Sequence, residues 1–160
     1  MATTAQRKHL AQLMDWLVSK EPLIDYRQYR PMTTIKLYEQ ELVDRFAAGK
    51  HITSDCSETV TLLCKLAGLK DPNGMNYTGY GYTGSLLEYL PHYTDPKGAD
   101  IGALVVFGPD DGDHVGMVRH PGANPMIFDH GSQSGPKFRR LNTIKGFQKP
   151  PTTFLKIAHL

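Results

Sequence analysis

Residues 53 to 69 read TSDCSETVTLLCKLAGL and hold both cysteines of a 160-residue chain. Placed on a helix over 55–67, Cys56, Val60, Leu63, Cys64 and Ala67 fall at i, i+4, i+7, i+8 and i+11, one apolar stripe. Cys64 lies in the middle of that stripe and reads as a core thiol. Cys56 falls in the first turn, behind the cap candidates Thr53, Ser54 and Asp55. Eight helical residues separate the two backbones by roughly 12 Å. A disulfide needs Cα atoms within about 7 Å, so the pair cannot bridge without unwinding the helix, nor share a metal. What remains is a lone cysteine at a helix start, where unpaired amides and the dipole favour the thiolate. Such a thiol needs a base.

Working outward, the chain divides into a helical first part and a strand-rich second. Leu10, Leu13, Met14, Leu17 and Val18 predict an amphipathic helix over 5–19. The segment 21–34, with Pro22 and Pro31, reads as an ordered loop. A helix over 34–48 should end at Gly49, and the 55–67 helix at Gly68. A turn-rich stretch, KDPNGMNYTGYGYTG, precedes a short helix near 84–90 that Pro91 closes. After residue 100, IGALVVF, HVGMVRH, PMIFDH and TFLKIAHL are short, rich in Val, Ile and Phe, and broken by Gly, Pro and Asp. Their links are too short for parallel crossovers, which predicts an α+β domain, helices first and an antiparallel sheet second.

The second part supplies the base. His114 opens one predicted strand and His130 closes the next. A hairpin centred on Gly122 gives partners whose numbers sum to 244, setting the two histidines opposite one another on a shared face. Gly116 would then face Phe128, and Val118 would face Met126, as an apolar floor against which the Cys56 helix packs. The preceding hairpin sets Phe107 opposite His114 and Val105 opposite Gly116. An imidazole beside a thiol takes its proton, and a polar group on the far nitrogen fixes the tautomer. His114 is the expected base and His130 its orienter, with the Cys56 amide available to an oxyanion. Two other readings stay open here: ordinary strand-end histidines, or a zinc site with Asp113 or Asp129. The chain has neither HExxH nor HxH, which counts against zinc. Asp110, Asp111 and Asp113 lack the spacing of a calcium loop and read as a solvated turn. His9 and His159 read as surface residues.

Composition narrows the class. The chain is 40% hydrophobic and 21% charged, as globular domains are. A net charge of +2 is too mild to argue for nucleic acid, and no arginine-rich run suggests a nucleic-acid groove. The N-terminus lacks an apolar run of signal-peptide length, and no stretch approaches the ~20 apolar residues of a membrane span. The expectation is one domain over 1–160, made in the cytosol, monomeric, without cofactor or metal.

Asp55-Cys56-Ser57 heading a helix, HVGMV opening a strand and His130 closing the next make the chain resemble the NlpC/P60 family of papain-like cysteine peptidases. It is most similar to the N-terminal peptidase modules of phage endolysins that lyse mycobacteria and related actinobacteria. The stretches RPMTT, DPNGMNYTGYGYTG, GALVVFGP and PPTTFL carry this over most of the chain after residue 25. The resemblance implies a papain-like fold and a catalytic Cys56, His114 and His130. It implies cleavage of a peptidoglycan stem-peptide amide, typically between D-glutamate and diaminopimelate. It implies that Asp55 and Ser57 help hold the substrate's amine end. The Tyr-Gly loop, with Tyr77, Tyr80 and Tyr82, reads either as lining a groove for sugar or peptide or as a tight glycine-rich turn with partly buried rings. The resemblance also implies storage in the host cytoplasm, release to the wall through a partner holin, and a place as one module of a longer lysin or a complete short one. The family's tyrosine ahead of the cysteine, within Tyr-x-Trp-Gly-Gly, has no match; Tyr26, Tyr29 and Tyr38 stand as substitutes without a choice among them. An N-acetylmuramoyl-L-alanine amidase with the same residues, and a non-catalytic wall-binding module, are the rival expectations.

Overall fold

The computed structural model describes residues 2–132, 135–158 and 160; His159 lies outside them. The N-terminal half holds three of the five α-helices, α1 (Thr4–Ser19), α2 (Glu39–Ala47) and α3 (Cys56–Leu66), with a short parallel strand pair, β1 (Ile24–Tyr26) and β2 (Ile52–Ser54). α4 (Thr83–Tyr89) follows a long loop. The C-terminal half is a five-stranded antiparallel sheet in the order β6-β5-β4-β3-β7. Its strands are β3 (Leu104–Phe107), β4 (His114–His120), β5 (Met126–Asp129), β6 (Lys137–Arg140) and β7 (Thr152–Leu155), with α5 (Leu141–Lys145) between the last two. Helices first and an antiparallel sheet second make this an α+β domain, as the sequence predicts.

Local chemistry explains the element ends. Thr3 caps α1 by a reciprocal bond with Gln6, and Leu10, Leu13, Met14 and Leu17 are buried. Asp55 caps α3, its carboxylate accepting the Glu58 amide at 2.8 Å. Gly68 closes α3 at φ +76°, and the Leu69 amide returns to the Cys64 carbonyl. The helix expected over 34–48 is interrupted: a 3₁₀ turn at Thr34–Lys36 gives way to extended Leu37, and α2 starts after Tyr38.

α3 is not the one-sided helix that its stripe suggests. Ser57, Glu58, Thr59, Thr61 and Leu62 are buried along with Cys56, Val60, Leu63 and Cys64. The sheet covers one side and α1, the Thr34–Lys36 turn and the 70–82 loop cover the rest. Its hydroxyls stay satisfied by turning inward: Thr59 donates to the Asp55 carbonyl and Thr61 to that of Ser57, both at 2.7 Å.

Four elements are not expected from the sequence: β1 falls in the expected loop, β2 is unassigned before the cysteine, β6 is too polar (Lys137, Arg139, Arg140) to signal a strand, and the five-residue α5 is too short to show a period. The β1–β2 pair is parallel, with Tyr26 opposite Ser54. That pairing brings Tyr26 alongside the residue two places before Cys56.

The decisive difference is the β4–β5 register. β3–β4 pairs as expected, with Phe107 opposite His114 and Val105 opposite Gly116. In β4–β5, however, Gly116 faces Asp129, Met117 faces Phe128 and Val118 faces Ile127, so partners sum to 245 rather than 244. The turn closes one residue later, with His120 opposite Met126, and a bulge at Arg119 takes one residue back. A slip of one residue exchanges faces along the whole strand. His114, Gly116 and Asp129 therefore share the face of Val105, Phe107, Val118 and Ile127, which packs on Leu141 and Ile144 of α5. Phe128 and Met117 point to the α3 side with Leu104, Val106 and Val115. The expected apolar floor beneath paired histidines is corrected accordingly: His130 lies on the helix side and does not oppose His114.

Candidate active site

Cys56 is the first residue of α3, buried to 4% exposure yet lining an open cavity of about 410 Å³. As a first-turn residue its amide has no acceptor within the helix. His114, the first residue of β4, sits at the sheet end that the head of α3 meets. The Cys56 thiol is close enough to raise the pKa of its imidazole. The ring's Nε2 lies 2.7 Å from Asp129 Oδ2. An ionised carboxylate only accepts, so Nε2 carries the proton and Nδ1 is the atom left for Cys56. Burial opposes a charge on His114, but the hydrogen bond to Asp129 and the nearby Cys56 outweigh it and push its pKa up to about 9.

Asp129 is itself held from behind. Burial tends to raise its pKa, but His114 and Arg139 overcome this and keep it below the usual carboxylate range. Arg139 of β6 grips both oxygens, Nε to Oδ1 at 3.0 Å and Nη2 to Oδ2. Phe107 stacks on the His114 ring with centroids 6.0 Å apart, and Phe147 lies under the Arg139 guanidinium. Thiol, imidazole, carboxylate and guanidinium form one chain across α3, β4, β5 and β6.

His130 has a different place from the expected one. Its Nδ1 is 3.0 Å from Thr59 Oγ1 and 3.2 Å from Ser54 Oγ, and its ring meets Tyr26 edge-on at 5.3 Å. Burial drives its pKa down to about 4, so it is neutral near pH 7. Its Nε2 has no hydrogen-bond partner among the described residues. The group on the far nitrogen of His114 is Asp129, a residue the sequence reading weighed only as a zinc ligand. The signal that could have found it was the alternation itself, read with the register shifted by one residue.

Of the three candidate tyrosines, Tyr26 is the one whose hydroxyl Cys56 influences: burial pushes its pKa up to about 12, with Cys56 adding to the shift. It is a neutral phenol, able to donate. Tyr29 instead bonds Thr33 and the Thr53 carbonyl, and Tyr38 lies exposed over Lys65.

Asp55, Ser57 and Tyr82 all line the Cys56 cavity, together with Arg30. Tyr77 does not: its hydroxyl donates to the Leu69 carbonyl and its amide to Asp71, which holds the 70–82 loop together. Tyr80 is exposed elsewhere. A second cavity of about 830 Å³ lies beyond His114, bounded by Tyr26, Asp129, Lys137, Arg139 and Phe147. Asp113 borders both, with Cys56 on the first cavity and His114 on the second. Both cysteines are free thiols; burial pushes the Cys64 pKa well above the ordinary thiol range. Among the described residues no three His, Cys, Asp or Glu side chains converge as a metal site.

A cysteine at the head of a buried helix thus stands beside a histidine that opens a strand of the antiparallel sheet. Among solved structures, the peptidoglycan hydrolase RipB of Mycobacterium tuberculosis has the same fold: TM-score 0.56 at 17% identity, covering 97% of this chain and 68% of that one. No protein-family model matches the chain, and no curated protein matches it.

Proposed function

We propose that the chain is a peptidoglycan hydrolase that cleaves a stem-peptide amide through Cys56. The observation that carries this is the Cys56–His114–Asp129 relay beside an open cavity; the fold shared with RipB supports the substrate class. The sulfur attacks the amide carbonyl carbon as thiolate while His114 Nδ1 holds its proton. The oxyanion that develops faces two donors, the Cys56 amide and the Tyr26 hydroxyl. Collapse expels the amine, which takes the proton from His114 and leaves a thioester on Cys56. Water, deprotonated by His114, then releases the acid and restores the thiol. Asp129 holds the ring in the productive tautomer throughout, and Arg139 keeps Asp129 ionised.

The resemblance to NlpC/P60 peptidases favours the bond between D-glutamate and diaminopimelate, and the likeness to phage lysin modules favours a role in host lysis after release by a holin. Among the described residues no helix is long and apolar enough to cross a membrane. Digestion of purified diaminopimelate-type peptidoglycan, with new termini identified by mass spectrometry, tests the reading. New diaminopimelate amino termini are expected, and Cys56→Ala should abolish them. Undiminished release by that variant overturns the thiol mechanism, and free muramoyl lactyl groups would make the enzyme an amidase instead.

A further inference from the structure

Arg30 sits on the wall of the Cys56 cavity with its side chain 27% exposed, and nearly all its donors are spent on that wall. Nε donates to the Gly81 carbonyl at 2.8 Å, and Nη1 to the Tyr29 carbonyl at 2.6 Å and to Asp55 Oδ2 at 2.8 Å. Nη2 donates to Ser57 Oγ at 2.9 Å. A guanidinium has five N–H groups, so one on Nη2 is left over. Asp55 is equally committed. Its Oδ1 accepts the Ser57 hydroxyl at 3.1 Å and the Glu58 amide at 2.8 Å, its Oδ2 accepts Arg30, and it is 3% exposed.

These bonds set what the wall can recognise. The Asp55 charge is cancelled by Arg30, and a substrate ammonium placed here would meet a guanidinium of like sign. The Ser57 proton points to Asp55, so the hydroxyl presents no donor to a ligand. Asp113, the other carboxylate of the cavity, is solvent-exposed on the rim, where water screens it. What the buried wall offers is a donor, fit for a carbonyl or carboxylate oxygen.

We infer that Arg30 is a specificity-determining residue: by occupying Asp55 and Ser57 it makes the site take stem peptides whose amino end is acylated, and disfavour peptides with a free α-amino group. This rests on the hydrolase reading above and names its substrate class. An acylated amino end is the state of the peptide in an intact wall, where it is joined to the sugar; a free one belongs to peptides already released. The enzyme therefore acts on the wall itself rather than on its breakdown products.

The test compares kcat/KM for a disaccharide tetrapeptide with that for the same tetrapeptide bearing a free amino terminus, alongside intact sacculi. Wild type should favour the disaccharide peptide by about tenfold, the effect of a like-charge contact on the partly exposed cavity wall. Arg30→Gln should lower this ratio towards one, a readout that a general loss of folded enzyme leaves unmoved. Equal use of both peptides, or preference for the free amine, overturns the inference while leaving the hydrolase intact. An unchanged ratio in Arg30→Gln overturns the role of Arg30. Digestion of sacculi with neither soluble compound cut also counts against it. No cleavage of any of the three removes the hydrolase reading and this one with it. Should Arg30→Gln fail to fold, the wild-type ratio alone still decides.

Discussion

Asp129 Oδ2 lies 2.7 Å from His114 Nε2, reached diagonally across the β4–β5 ladder, while the neighbouring His130 turns to the opposite face and bonds Ser54 and Thr59. One strand thus presents two polar residues to two different layers. Asp129 serves the imidazole next to the thiol; His130 serves the packing of α3 and Tyr26.

The two residues should therefore separate on mutation. Asp129→Asn keeps the shape but removes the charge that fixes the His114 tautomer, and a loss of roughly 10²–10⁴ in kcat is expected. The His114 pKa, followed by NMR of its ring protons, should fall from about 9 in the same variant. His130→Gln should retain most of kcat and lose stability instead. A larger kcat loss in His130→Gln than in Asp129→Asn would return the orienting role to His130.

Tyr26→Phe removes one oxyanion donor without opening a hole. An expected loss of about 10–10³ in kcat with little change in KM marks a bond strengthened in the transition state. A variant as fast as wild type would leave the Cys56 amide as the donor that matters.

Two buried groups beside the site oppose each other in pH. Burial raises Glu58 to about 7, its Oε1 having no partner among the described residues, while burial lowers His130 to about 4. The stabilising part of neutral His130 is complete above the unfolded value near 6.5 and is lost as pH falls towards 4. Protonated Glu58 works the other way: its favourable part is complete below about 4.5 and is lost as pH rises through 7. Between pH 4.5 and 6.5 the slopes offset. Glu58→Gln should unmask the His130 slope, and should raise stability at pH 8 by on the order of 1–3 kcal/mol. Denaturant melts at pH 5, 6.5 and 8 measure both effects, and parallel curves for the two proteins would refute the coupling.

Gly116 faces Asp129 on β5, and a Cβ there would come within 2.5 Å of the Ile127 side chain and 2.8 Å of the Phe128 carbonyl. Gly116→Ala must push β5 away, so destabilisation of about 1–3 kcal/mol is expected. Because Asp129 moves with β5, kcat should fall as well, and urea titration with assay of the folded fraction separates the two.

Much of the fold was legible because it is written in local periodicity. The α1 stripe, the cap and closing glycine of α3, and the Val-rich strands after residue 100 all appear at close to the predicted positions. So does the β3–β4 pairing, set by a short turn. Cys56 and His114 were legible for the same reason, each standing at the end of a strongly patterned element. β1, β2 and β6 were not, since three or four residues of mixed polarity carry no periodic signal.

What the sequence determined by itself, then, is the order of elements, the core-facing positions and the thiol at a helix start, because each follows from the spacing of neighbouring residues. Tertiary structure alone decided that Asp129 and not His130 meets His114, that Tyr26 comes under the influence of Cys56, and that Arg30 closes Asp55. These depend on a turn centred one residue later than expected, a bulge at Arg119 and a parallel pairing across twenty-five intervening residues. Side-chain direction in a sheet alternates with every residue, so a single-residue shift in a loop, invisible to pattern, decides which chemistry faces the site.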